Sequence, residues 1–158
     1  MLTRAADYAV RVMVHLASLP PGTRVQRTNL AEFTEVPESF MSKVLQGLVR
    51  ARLISSKPGH HGGFELAADP QKITLLDVVE AIDGPLAVNL CVGATHACDR
   101  HTGCPAHPVW LKAQEAFSGV LRSATVAGLT SSSQVSVGSS AVPSASAPGV
   151  ASQLRASL

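Results

Sequence analysis

The sequence predicts a mostly α-helical fold with one small β-hairpin and a long helix late in the chain. Three observations predict it. Apolar residues recur at helical spacing through 3–18, 37–51 and 108–126. Two short apolar segments flank a Gly-rich tip within 53–67, the mark of a hairpin. The apolar fraction is 46% but aromatic residues are only 4%, which favours an aliphatic, helical core.

In the first helix, Arg4, Asp7, Arg11, His15 and Ser18 form one polar stripe, and Tyr8, Val12, Met13 and Leu16 lie on the other side. Leu19-Pro20-Pro21-Gly22 ends it. Thr28 is the expected N-cap of a short helix over 29–34. Glu35-Val36 is a turn, and Pro37 opens a longer helix at the first position, where its missing N–H costs nothing. That helix runs to about Ala51, with Phe40, Met41, Val44, Leu45 and Leu48 facing inward. Ser39, Ser42, Lys43, Gln46 and Arg50 face out. A short helix, a tight turn and a longer helix with a small, basic exposed face make a helix-turn-helix. The hairpin that follows, strands 53–57 and 64–67 around Pro58-Gly59-His60-His61-Gly62-Gly63, is then a wing.

Thr74-Leu75-Leu76-Asp77 resembles a capping box with Asp in the last place, and opens a helix that stops at Gly84-Pro85. Pro108 opens the long helix over 108–126, where Trp110, Ala113, Phe117, Val120 and Ala124 make an apolar stripe with Leu121 beside it. Such a stripe at the end of a small domain needs a partner surface. A second subunit is the expected supply, its own domain the alternative. Residues 127–158 are mostly Ser, Ala, Gly, Val and Pro with Arg155 the one charge, so a disordered, low-complexity tail is expected. The organisation expected is therefore a DNA-binding head over 1–85, a cysteine loop over 86–107, a dimerisation helix over 108–126, and the tail.

Residues 1–57 carry eight Lys/Arg against four Asp/Glu, and residues 58–158 five against seven. A basic first half fits a nucleic-acid partner. There is no long apolar run and no signal-peptide pattern, so a cytoplasmic protein with reduced thiols is expected. No G-x-S-x-G, P-loop or paired-carboxylate pattern occurs, so no enzyme is expected.

Cys91, Cys98 and Cys104 are the only cysteines, spaced C-x6-C-x5-C, with His107 three positions after the last. Thiolates gathered this way hold a soft metal or an iron–sulfur cluster. Structural zinc in a Cys3His set accepts the same donors, although short C-x2-4-C knuckles are absent. Spacing alone leaves cluster and zinc open. Three unrelated thiols, or an electron-transfer or cluster-carrier protein, are further alternatives, but a carrier has no need of a helix-turn-helix and wing.

The motifs L-T-R-A-A-D-Y-A-V, P-E-S-F-M-S-K-V-L-Q-G-L-V-R-A-R-L-I, G-G-F-E-L-A, I-T-L-L-D-V-V-E-A-I-D-G-P and C-x6-C-x5-C-P-x-H together resemble the Rrf-two family of winged helix-turn-helix transcriptional regulators, over residues 1–126. The resemblance implies a homodimer joined by the long C-terminal helices, acting chiefly as a repressor on a palindromic double-stranded DNA operator. It implies a [2Fe-2S] or [4Fe-4S] cluster near the dimer interface that tunes DNA affinity in response to redox state, nitric oxide or cluster supply. Cys91, Cys98 and Cys104 would be its thiolate ligands. His107 matches the fourth ligand of the cluster-regulating branch. Asp7 matches that of the nitric-oxide-sensing branch, where it reaches over from the partner subunit. His96 and His101 are expected to be solvated. A winged-helix repressor with structural zinc or no metal is the alternative.

Ser39, Ser42 and Lys43 are candidates for base-edge or phosphate contact, and Arg50, Lys57, His60 and His61 for the DNA backbone. Thr28 adds a phosphate candidate, and Phe40 is expected in the core or packed beneath the groove. The chain departs from the family at two places. Pro58 stands where members often carry a wing arginine, and Ser42 where some carry glutamate.

Overall fold

The computed structural model describes residues 2–59, 62–93, 98–100 and 103–131. Helix α1 (Arg4–Ser18) is capped by Thr3, whose Oγ1 accepts the Ala6 N–H at 3.3 Å. The same threonine donates its hydroxyl to Asp83 Oδ1 at 2.6 Å and its N–H to Asp83 Oδ2 at 2.9 Å. The start of α1 is thus tied to the end of α4 (Leu75–Asp83). Ala5, Ala9, Val12, Met13 and Leu16 are buried along α1, which packs against α2 (Arg27–Thr34), α3 (Glu38–Arg50), α4 and α6 (Val126–Ser131). The alanines let those neighbours approach closely, and Val12, Met13 and Leu16 fill the space between them.

Helix α2 starts earlier than the sequence suggests. Val25 pairs with Phe64 through N–H to carbonyl bonds of 3.0 and 2.9 Å, and the chain enters the helix immediately afterwards, at Gln26. Thr28 therefore lies in the first turn of α2 and is not its cap. The buried Thr34 hydroxyl donates to the Leu30 carbonyl, so its polarity is satisfied inside the helix. Glu35 takes the left-handed conformation, φ 54°, and turns the chain, and the Val36 N–H closes on the Ala31 carbonyl at 3.1 Å. Pro37 precedes the first residue of α3 instead of occupying it. Met41, Val44, Leu45 and Leu48 are buried as expected, but Phe40 is half-exposed, its ring edge-on to Tyr8 at 5.3 Å.

Strands β1 (Ile54–Lys57) and β2 (Gly63–Leu66) pair antiparallel, Ile54 opposite Leu66 and Lys57 opposite Gly63. Val25 adds a third rung on β2. The capping box forms: the Asp77 N–H donates to Thr74 Oγ1 at 3.1 Å and the Thr74 N–H to Asp77 Oδ2 at 2.8 Å.

The long helix α5 (His107–Ser123) stops short of its expected end. Ala124 is extended because Leu75 donates to its carbonyl at 2.8 Å, and Val126 in turn donates to the Ile73 carbonyl at 2.9 Å. The chain then forms α6, with Val126 fully buried, and this helix packs on α1. The tail boundary expected at 127 falls inside α6, because Val126 supplies an apolar anchor that composition alone does not reveal. Residues 132–158, the rest of that tail, lie outside the described residues. Among the described residues no helix is long and apolar enough to cross a membrane.

Gly63 has φ +140°, and a Cβ there would stand 2.7 Å from the Val25 carbonyl oxygen. Gly63→Ala therefore combines backbone strain with a backbone clash at the seam between wing and head. It should lower stability by about 1–3 kcal/mol in urea titration.

Candidate nucleic-acid interface and metal centre

Polar contacts join α2 to α3 and the segment before α2 to the wing. Arg27, the first residue of α2, donates from Nη1 to Ser42 Oγ at 3.0 Å, and its Nη2 lies 3.4 Å from Glu38 Oε2. Arg24 holds Glu65 of β2 at 3.2 Å, and Ser55 of β1 donates to the same carboxylate at 3.4 Å. Between α3 and the wing runs a groove of about 540 Å³ lined by Arg27, Ser42, Gln46, Arg50, Ser56 and Phe64. Ser39, Ser42, Lys43 and Arg50 are exposed on α3, and Thr28 is exposed in the first turn of α2. Lys57 is exposed at the end of β1. His60 and His61 lie outside the described residues. Sequence periodicity missed Arg27. Its signal was positional: a cation at the start of the first motif helix stands beside the second, but helical periodicity within one segment cannot show a contact between two.

The second region lies at the start of α5. The Gln114 side chain accepts the Val88 N–H at 2.9 Å and donates to the Leu86 carbonyl at 2.7 Å. That clamp lays residues 86–88 along α5 and returns the chain toward the helix start. Cys91 sits in a single 3-10 turn, Leu90–Val92, and is buried. Cys98 and Cys104 are half-buried. All three cysteines line one cavity of about 420 Å³, with Asp99, Arg100 and Trp110 on its walls. None of the three is in a disulfide.

A single ion needs its donors to meet at one point, and no group of three or more His, Cys, Asp or Glu among the described residues does so. A cluster asks for something different, because its thiolates are shared out over two or more irons around a body of several atoms. Three soft donors around one cavity fit that demand.

His107 opens α5, half-buried, its N–H on the Cys104 carbonyl at 3.0 Å. It follows the last cysteine but is not among the residues lining the cavity. Asp7 lies on α1, exposed and paired with Arg11 at 3.0 Å. The Arg11 guanidinium stands 5.8 Å from the centre of the Tyr8 ring, and Tyr8 meets Phe40 of α3. His96 and His101 lie outside the described residues. Val109, Phe117 and Val120 leave α5 with an exposed apolar face, Val120 at 67%. In the metal-free protein, an alkylating reagent should modify Cys98 and Cys104 faster than the buried Cys91. Peptide mass spectrometry over a time course reads the order directly.

A family model described as Rrf2, iron-dependent transcriptional regulator, matches residues 2–132. HTH-type transcriptional regulators of Mycobacterium tuberculosis are 42% identical over 86 residues, which is 54% of this chain and 53% of theirs. The chain thus spans about half the length of those relatives. Among solved structures, CymR of B. subtilis, a global cysteine regulator, superposes with a TM-score of 0.67 at 22% identity, covering 83% of this chain and 96% of that one. IscR of T. potens superposes with a TM-score of 0.64 at 24% identity, covering 83% and 86%. At these identities the structural likeness speaks for the fold, and the family match for the function. The chain belongs to the Rrf2 family of winged helix-turn-helix, DNA-binding transcriptional regulators, which are not enzymes.

Proposed function

We propose that this protein is a cytoplasmic homodimeric repressor whose affinity for a palindromic operator is set by an iron–sulfur cluster. The observation that carries the reading is the gathering of Cys91, Cys98 and Cys104 around one cavity at the start of α5. These thiolates would hold the cluster, of the [2Fe-2S] or [4Fe-4S] type, with His107 or the partner subunit's Asp7 as the fourth ligand. When bound, the cluster supplies iron that reacts with oxygen or nitric oxide. An imidazole or carboxylate is displaced more easily than a thiolate, so the fourth position is the vulnerable one.

The chain's own contacts supply two routes from that position to DNA. Asp7 leads through Arg11 and Tyr8 to Phe40 on α3. His107 leads into α5, whose exposed Val109, Phe117 and Val120 suit a second copy of the helix. Two-fold pairing would place two copies of α3 on adjacent major grooves. Ser39, Ser42 and Lys43 would then meet base edges or phosphates, with Arg50, Lys57, Thr28, His60 and His61 on the backbone.

A second reading keeps the DNA-binding head but replaces the cluster with structural zinc or no metal. The donors among the described residues do not converge on one point, which favours the metal-free form of it. The likeness to the B. subtilis cysteine regulator is in keeping with that form.

Anaerobic purification followed by an absorption spectrum, with iron and acid-labile sulfide assayed on the same sample, separates these readings. Visible bands with near-stoichiometric iron and sulfide are expected, lost in Cys91→Ser. Nitric oxide should change operator affinity only in the loaded protein. A protein colourless even after reconstitution with iron and sulfide sinks the cluster reading, and its zinc content then decides between the alternatives. Lys43→Gln and Arg50→Gln should each weaken binding to all duplexes alike. Each removes one phosphate contact per half-site, so the slope of log affinity against log salt should fall by about 1.8 for the dimer, measured by fluorescence anisotropy.

A further inference from the structure

We infer that Arg27 is a specificity-determining residue, which with Ser42 forms one hydrogen-donating pair that reads the acceptor edge of guanine in the major groove. The inference rests on α3 being the helix that enters that groove. A serine hydroxyl alone is ambivalent, since it donates to guanine N7 or O6 and accepts equally from the amino groups of cytosine or adenine. Here one acceptor site of Ser42 Oγ is already taken by Arg27 Nη1 at 3.0 Å. That occupancy leaves the hydroxyl proton and one lone pair, which tilts Ser42 toward acceptors on the base. The remaining N–H groups of Arg27 stand beside the Ser42 hydroxyl, and two neighbouring donors match the adjacent N7 and O6 acceptors of guanine.

Glu38 makes this arrangement specific instead of casual. Its carboxylate lies 3.4 Å from Arg27 Nη2, so the guanidinium is held from two sides on the first turn and a half of α3. The Arg27 and Glu38 side chains remain 49% and 54% exposed, open to a duplex. Pairs this exposed contribute little to stability, so removing Arg27 tests recognition and leaves the fold in place.

The test is in vitro selection from a random duplex library with the full chain, comparing wild type with Arg27→Ala, Arg27→Lys, Ser42→Ala and the double alanine variant. Circular dichroism verifies that each is folded. Wild type should enrich guanine at one position in each half-site. Arg27→Ala should cut that preference about tenfold while leaving other positions unchanged, and Arg27→Lys should retain part of it. In the Ser42→Ala background, removing Arg27 should alter the preference less than it does in wild type. The inference is overturned if Arg27→Ala weakens every duplex by one common factor and keeps the wild-type base preferences, which is the behaviour of a phosphate contact. Failure of wild type to enrich any duplex would remove the α3 reading itself, and this inference with it.

Discussion

Burial of one side of α1 is the constraint on which the remaining architecture depends. Ala5, Ala9, Val12, Met13 and Leu16 present a continuous apolar surface, and α2, α3, α4 and α6 each cover part of it. Because these helices share one surface, displacing α1 disturbs the recognition helix and the helix that leads into the cysteine segment together. The bond from Thr3 to Asp83 fixes the position of α1 along its own axis as well. Its opposite, polar face carries Asp7 and Arg11 in full view of solvent. One helix thus combines a rigid inner face with an outer face open to a partner.

Charge on the DNA-binding side is organised more tightly than a net count suggests. Arg24 and Arg27 are both engaged, one by Glu65 of the wing and the other by Glu38 and Ser42 of α3. Exposed pairs of this kind add little stability. One links the segment before α2 to the wing, and the other links α2 to α3. Lys43, Arg50 and Lys57, the cations proposed for phosphates, have no ion pair among the described residues.

The cysteine segment shows how a loop with little regular structure is held in place. Its entry is bound to α5 by Gln114 and its exit by the bond from His107 to the Cys104 carbonyl. Both anchors belong to the same helix, and that helix also carries the exposed apolar face.

The sequence by itself determined the elements whose physics is local. Helical apolar spacing placed α1, α3 and α5, the Gly-rich tip placed the hairpin, and Thr74 with Asp77 marked the capping box that opens α4. The spacing of Cys91, Cys98 and Cys104 was enough to nominate them as one site. Only tertiary structure decided the features that depend on contacts between distant segments. Thr28 lost its role as a cap because Val25 is bound to the wing. The long helix α5 ended at Ser123 because residues 124–126 pair with 73–75, and α6 formed because α1 offers Val126 a buried position. Arg27 was invisible for the same reason, its partners lying on another helix. Periodicity reports which face of a segment is apolar, whereas ends, breaks and cross-helix hydrogen bonds are set by whatever the fold brings alongside.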